Sequence, residues 1–250
     1  MYIKQAFNCL HEWWRYLVGF IVIFLASQIG TIPLILAVFF KKMANGEDIY
    51  SIDESEVLTT LSSNLTLFLM LLSFAVGLLA LYLVVRFLHR QRFVELTTSR
   101  KKTDWGRIFF GFGLIAITTI VVTAIDYYSN PEDYVLQFDL IPFLFLAVIA
   151  IMMVPLQTSF EEYLFRGYLM QGIGVLAKNK WLPLVLTSVI FGGLHLANPE
   201  VDKLGNIIMI YYIGTGFFLG IMTLMDEGME LALGFHAGNN LITACCIVNL

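Results

Sequence analysis

Between Leu17 and Phe40 the chain carries no ionisable side chain, and comparable apolar runs recur along its length. A helix rises about 1.5 Å per residue, so a run of this length suffices for a hydrocarbon layer about 30 Å thick. Inside lipid every backbone N–H and C=O must find its partner within the protein, which restricts spanning segments to helices or closed barrels. Runs this long and this continuously apolar are the helical form. Composition agrees: 58% of residues are hydrophobic and 14% charged, against roughly 45–50% and 25% in a soluble domain. The expected fold class is therefore all-α, a polytopic transmembrane helical bundle of about seven spans, with its polar site buried among the C-terminal helices.

The spans read as Leu17 to Phe40, Leu65 to Val85, Ile108 to Ile125, Leu140 to Leu156, Trp181 to Ala197, Leu204 to Met225 and Met229 to Leu250. Trp13, Trp14 and Arg15 precede the first as an interfacial anchor. No small-residue cleavage site follows them, so no removable signal peptide is expected. One loop is strongly basic, with Arg86, Arg90, Arg92, Arg100, Lys101, Lys102 and Arg107. Basic loops stay on the cytoplasmic side, which also places the N-terminus there after two crossings. The loop with Asp126, Glu132, Asp133 and Asp139, like the earlier acidic segment with Glu47, Asp48, Asp53, Glu54 and Glu56, then faces outward. Cys9, Cys245 and Cys246 are too few and too apolar in setting for a disulfide framework, and their spacing fits no zinc site.

Three polar islands interrupt the C-terminal apolar runs. The first is Ser159-Phe160-Glu161-Glu162-Tyr163-Leu164-Phe165-Arg166-Gly167. Ionisable groups at membrane depth cost about 2.5–3.5 kcal/mol each on insertion scales, so they tend to be paired and functional. On a helix Glu162 and Arg166 share a face four residues apart and can neutralise each other, while Glu161 is rotated by about 100° and lacks that partner. The spacing suggests one structural acid and one working acid. A helix end meeting water at the membrane surface would use the same residues. The second island carries His195 and the third His236, with Asn240 one turn later on the same face. His11 and His89 sit at membrane boundaries and read as surface groups.

A carboxylate and an imidazole can share proton abstraction from water, and a second imidazole with a carboxamide can donate to a developing oxyanion. Glu161, His195 and His236 could instead be zinc ligands, since two histidines and one glutamate form a catalytic zinc set, although no His-Glu-x-x-His occurs. A bend at Pro155 or at the glycines after Arg166 is expected, because strict alternation of spans puts Glu161 and His195 at opposite membrane faces.

Glu161-Glu162-x-x-x-Arg166, Phe191-x-x-x-His195 and His236-x-x-x-Asn240, in this order and each within an apolar run, resemble the CPBP (Abi) family. This is the family of CAAX prenyl proteases and bacteriocin-processing enzymes. The resemblance divides the chain into N-terminal helices and loops, 1–139, and a catalytic helical core, 140–250. It implies an intramembrane endopeptidase in which Glu161 and His195 activate water, His236 and Asn240 hold the oxyanion, and Glu162 and Arg166 support them. A metal-free mechanism is the expectation, with zinc on Glu161, His195 and His236 as the alternative. The expected partners are membrane lipid and a peptide or membrane-protein substrate, with no nucleic acid. The expected location is integral to the membrane, the inner (plasma) membrane in a bacterium. Two other classes use the same residues: a non-proteolytic relative serving as an immunity factor or as a membrane partner of a sensor or secretion system, and a small transporter coupling through Glu161 and Arg166.

Overall fold

The structure is a computed structural model that describes residues 2–49, 54–135 and 138–246. Asp53 of the first acidic segment and the end of the seventh apolar run, up to Leu250, lie outside the described residues. Seven principal helices carry the fold: α1 Trp13–Asn45, α2 Ser63–Leu88, α3 Trp105–Ser129, α4 Leu140–Ala177, α5 Trp181–Gly193, α6 Ile208–Met225 and α7 Glu230–Cys246. Among the described residues there is no strand, and one isolated antiparallel bridge joins Thr98 and Gly228. The fold is an all-helical bundle. Five of the helices (α1 to α4 and α6) are long and apolar enough to cross a membrane, whereas Trp181–Ala197 is shorter and α7 has 17 residues.

Local chemistry sets the helix ends. Asp104 opens α3 by accepting from the backbone N–H groups of Gly106 at 3.0 Å and Arg107 at 3.4 Å. Asp139 opens α4 by accepting from Ile141 N at 3.3 Å, so both caps satisfy donors that a helix start leaves unpaired. Gly46 ends α1 in the left-handed conformation, φ 71°, and its N–H reaches back to the Lys42 and Met43 carbonyls.

The outer faces remain apolar. In the most hydrophobic window of α3 only 11% of residues are buried within the protein, and Phe109, Ile117, Ile120 and Ile125 are exposed. A surface of this composition has lipid as its solvent, and the protein is an integral membrane protein. Inside, α1 packs on α2, α2 on α4, α4 on α7, and α7 on α3; α6 bridges α5 and α7. Close approach needs small residues, because lipid gives helices no hydrophobic reason to associate. A Cβ added at Gly234 of α7 would collide with the Ile108 carbonyl of α3, and one at Gly216 of α6 would meet the Ser188 carbonyl of α5 at 2.7 Å.

The fourth helix departs from the sequence expectation. It does not stop at Leu156 but runs through Pro155 and the charged island to Ala177, with a π-helical turn at Tyr163–Leu169. The turn of the chain comes later, where Lys178 takes the left-handed conformation and Asn179 Oδ1 accepts from Trp181 N and Leu182 N, both at 2.9 Å. The depth conflict therefore disappears without strict alternation. Glu161 lies about 24 Å before this turn and His195 about 21 Å after it at ordinary helical rise. Because α5 packs back along the end of α4, the two come to a similar level.

Candidate active site

The Glu162 side chain is the hub. Its Oε1 accepts from Arg166 Nη1 at 2.9 Å and from His236 Nδ1 at 2.8 Å. Glu162 and Arg166 have side-chain exposures of 0% and 1%, so the pair is removed from solvent on every side. A carboxylate held against a guanidinium can only accept, which places the proton between Glu162 and His236 on Nδ1 of the imidazole. Arg166 Nη2 also donates to the Gly216 carbonyl at 3.3 Å, and its guanidinium lies 4.2 Å from the centroid of the Phe191 ring. The π turn frees backbone carbonyls for other partners, and the Arg166 carbonyl accepts from the Tyr2 hydroxyl at 3.1 Å. Burial pushes that hydroxyl well above its usual pKa, so it stays a neutral donor.

Glu161 is less isolated than its spacing implies. Its Oε1 accepts from Gln157 Nε2 at 2.6 Å, and its Oε2 is 3.5 Å from His236 Nε2. His236 thus lies between the two adjacent carboxylates, one on each ring nitrogen. Asn240 Nδ2 donates to Gln157 Oε1 at 3.2 Å and is 3.4 Å from His236 Nε2. Helix geometry explains the convergence. Gln157 and Glu161 share one face of α4, and His236 and Asn240 share the facing stripe of α7.

His195 joins the group through an aromatic ring. It follows the end of α5 in a 3₁₀ turn, and its Nδ1 pairs with the Phe191 carbonyl at 2.9 Å. A carbonyl only accepts, so the proton is on Nδ1 and Nε2 is available as a base. The imidazole stacks on Tyr212 at 4.3 Å, and the Tyr212 hydroxyl accepts from Asn198 Nδ2 at 3.3 Å. The Phe191 ring touches both histidines, with centroid separations of 5.0 Å to His195 and 6.0 Å to His236. An apolar groove of about 380 Å³ reaches His236 and Asn239 from between α3, α6 and α7, lined also by Ile115, Tyr211 and Phe218.

The structure thus gathers Glu161, Glu162, Arg166, His236 and Asn240 into one hydrogen-bonded network and brings His195 to its edge. Gln157, Tyr212 and the Gly216 carbonyl are the additions. Gln157 is visible in the sequence as a polar residue inside an apolar run, but its partners are not. The alternative zinc set fares differently. Among the described residues no three His, Cys, Asp or Glu side chains are gathered so that they could hold one metal ion. Nδ1 of His236 is held by Glu162 and Nδ1 of His195 by a carbonyl, which leaves Nε2 of each imidazole as the nitrogen that could meet water, substrate or a metal ion.

A sequence model described as "Type II CAAX prenyl endopeptidase Rce1-like" matches residues 137–242, a stretch that includes all seven residues of the three motifs. The chain is also 35% identical over 232 residues to "Uncharacterized protein YyaK" of Bacillus subtilis (strain 168), covering 91% of this chain and 76% of that protein. No solved structure matches the chain at a significant level. With the Glu-Glu, His and His/Asn constellation standing inside the matched stretch, the chain belongs to the Rce1-like type II CAAX prenyl endopeptidase family.

Proposed function

We propose that this protein is an intramembrane endopeptidase that hydrolyses a peptide bond of a membrane-associated peptide or protein. One observation carries the reading: two adjacent carboxylates, an imidazole and a carboxamide from facing helices form a single hydrogen-bonded network around the buried Glu162 and His236, with a second imidazole at its edge. In this reading Glu161 takes a proton from water, assisted by Nε2 of His195, while the water oxygen bonds to the scissile carbonyl carbon. The carbonyl electrons move onto oxygen, where His236 and Asn240 donate. Such preorganised donors are worth roughly 3–4 kcal/mol each. The proton held by Glu161 then passes to the leaving amine as the C–N bond breaks.

Proton inventory sharpens the role of His236. Its Nδ1–H is committed to Glu162, so it can donate from Nε2 only when that nitrogen is also protonated. Two carboxylates and one guanidinium leave one negative charge in the site, and an imidazolium between the carboxylates would balance it. Glu162 and Arg166 then act through His236. The family description supports a prenylated CAAX-type substrate, and the apolar groove reaching His236 supports a lipid-embedded one. No step in this scheme uses a metal.

The test is cleavage by the full chain in proteoliposomes, comparing wild type with Glu161→Gln on a prenylated CAAX-type peptide and on its unprenylated twin. Peptide profiling of native membranes with the same pair of proteins extends it to unknown substrates. Cleavage by wild type and its loss in the variant is expected; equal peptide profiles would leave the protein a non-proteolytic membrane partner. Purified active protein is expected to contain well under one zinc per chain. Loss of activity with 1,10-phenanthroline and recovery with zinc would instead make Glu161, His195 and His236 ligands. Orientation is proposed with the basic loop and N-terminus cytoplasmic, and labelling of a cysteine at position 101 from outside only would reverse it.

A further inference from the structure

Gln157 lies one turn before Glu161 on the same face of α4, and it touches two groups of the proposed machinery at once. Its Nε2 donates to Glu161 Oε1 at 2.6 Å, and its Oε1 accepts from Asn240 Nδ2 at 3.2 Å. Asn240 is held from its other end too, because Oδ1 accepts from Asn239 Nδ2 at 3.2 Å. The chemistry of the amides fixes the direction of this chain. A carboxylate offers only acceptors, so the end of Gln157 that faces Glu161 must be its NH₂. The other end is then a carbonyl and needs a donor, which forces the NH₂ of Asn240 toward it. Asn240 consequently turns its nitrogen toward the site, where it also lies 3.4 Å from His236 Nε2, and its oxygen away. A glutamine that merely satisfied itself within a membrane helix would need only the first of these bonds.

We infer that Gln157 is a positioning residue, which fixes the Glu161 carboxylate and orients the Asn240 carboxamide across the α4–α7 contact. The inference rests on the peptidase reading above for the roles of those two groups. It assigns Gln157 no contact with substrate. A network with one direction holds the water-activating group and the oxyanion donor in a fixed mutual geometry, and misplacement by about 1 Å costs about 100-fold in rate.

The test uses the full chain in proteoliposomes with a fluorogenic prenylated CAAX-type peptide. Gln157→Leu keeps bulk and loses both bonds; kcat is expected to fall about 10- to 100-fold while KM stays within about 3-fold. Gln157→Glu sets a second carboxylate against Glu161 Oε1. The other charged groups facing Glu161 and its neighbour (His236, Glu162 and Arg166) are unchanged, so the rising limb of kcat against pH should move to higher pH. If both variants lose folded yield yet keep wild-type kcat and pH profile per folded molecule, Gln157 is structural and the inference is overturned. If folded wild type cleaves neither the prenylated peptide nor its unprenylated twin, the peptidase reading fails separately. The link is then judged by melting temperature in a cycle of Gln157→Leu, Asn240→Leu and the double variant. Non-additive shifts support it, and additive shifts overturn it.

Discussion

Helix α7 is tied to the rest of the bundle by two ionic clusters six residues apart, and they are built on different terms. At its start Glu230, itself fully buried, accepts from Arg100 Nη1 at 3.2 Å and from the backbone N–H of Asp104 at 3.3 Å. Arg100 Nη2 also donates to the Asp226 carbonyl at 2.7 Å and to its Oδ1 at 3.1 Å, and Arg107 pairs with the same carboxylate. Two turns further in, His236 joins Glu162 and Arg166 with no exposed member. In the outer cluster Arg100 and Arg107 keep 28% and 40% of their side chains exposed, so water and salt screen it. The inner one has no such outlet. The contrast separates a clamp, which fixes the register of α7 through many modest contacts, from a site, where each charge depends on one or two neighbours.

The largest expected effect belongs to the inner cluster and is chemical. Glu161→Gln is nearly isosteric and should lower cleavage by about 100- to 10,000-fold while leaving the melting temperature nearly unchanged. A comparable loss of melting temperature would recast Glu161 as structural. Arg166→Ala should combine both losses, since removing one partner of a buried pair costs about 3–5 kcal/mol by stranding Glu162. Normal yield and melting with activity alone lost would place Arg166 in contact with substrate.

The outer clamp should respond more gently and with a salt signature. Arg100→Ala is expected to cost about 1–3 kcal/mol, discounted for its exposure, and the difference from wild type should shrink in high salt. A salt-independent loss as large as that of Arg166→Ala would erase the distinction between the clusters. The smallest effect is expected at the N-terminal segment, where the Tyr2 hydroxyl donates to the Leu96 carbonyl at 2.6 Å and the Arg166 carbonyl at 3.1 Å. Tyr2→Phe leaves the ring packed and removes these bonds, so about 1 kcal/mol in thermal stability should be lost, with a smaller change in kcat. An unchanged melting temperature would show that the π turn at Tyr163–Leu169 needs no outside support.

Much of this arrangement is legible in the residue order. The apolar runs announce helices because a backbone in lipid must pair its polar groups within a helix or a closed barrel, and runs this long and continuous fit only the helix. The four-residue spacing of Glu162 and Arg166 announces their pair, and the spacing of His236 and Asn240 announces that they share a stripe. Where α4 ends was not legible. A charged island in an apolar run reads as the end of a span, yet Glu162 and Arg166 neutralise each other and Tyr2 serves a freed carbonyl, so the helix continues. The seeming isolation of Glu161 was likewise a property of its own helix. Its partners are Gln157, one turn back, and His236, from a helix that begins almost seventy residues later.

The sequence by itself determined the solvent of this protein, its helical class and the six polar side chains at the centre of the site, because period and polarity are local properties of a chain. Tertiary structure alone decided which nitrogen of His236 faces which carboxylate, that His195 approaches by way of the Phe191 ring, and that Gln157 joins Glu161 to Asn240. Those outcomes depend on the rotation and depth of α4, α5 and α7 relative to one another. Packing at residues such as Gly216 and Gly234 sets that geometry, since how closely two helices approach depends on both surfaces and cannot be read from either one.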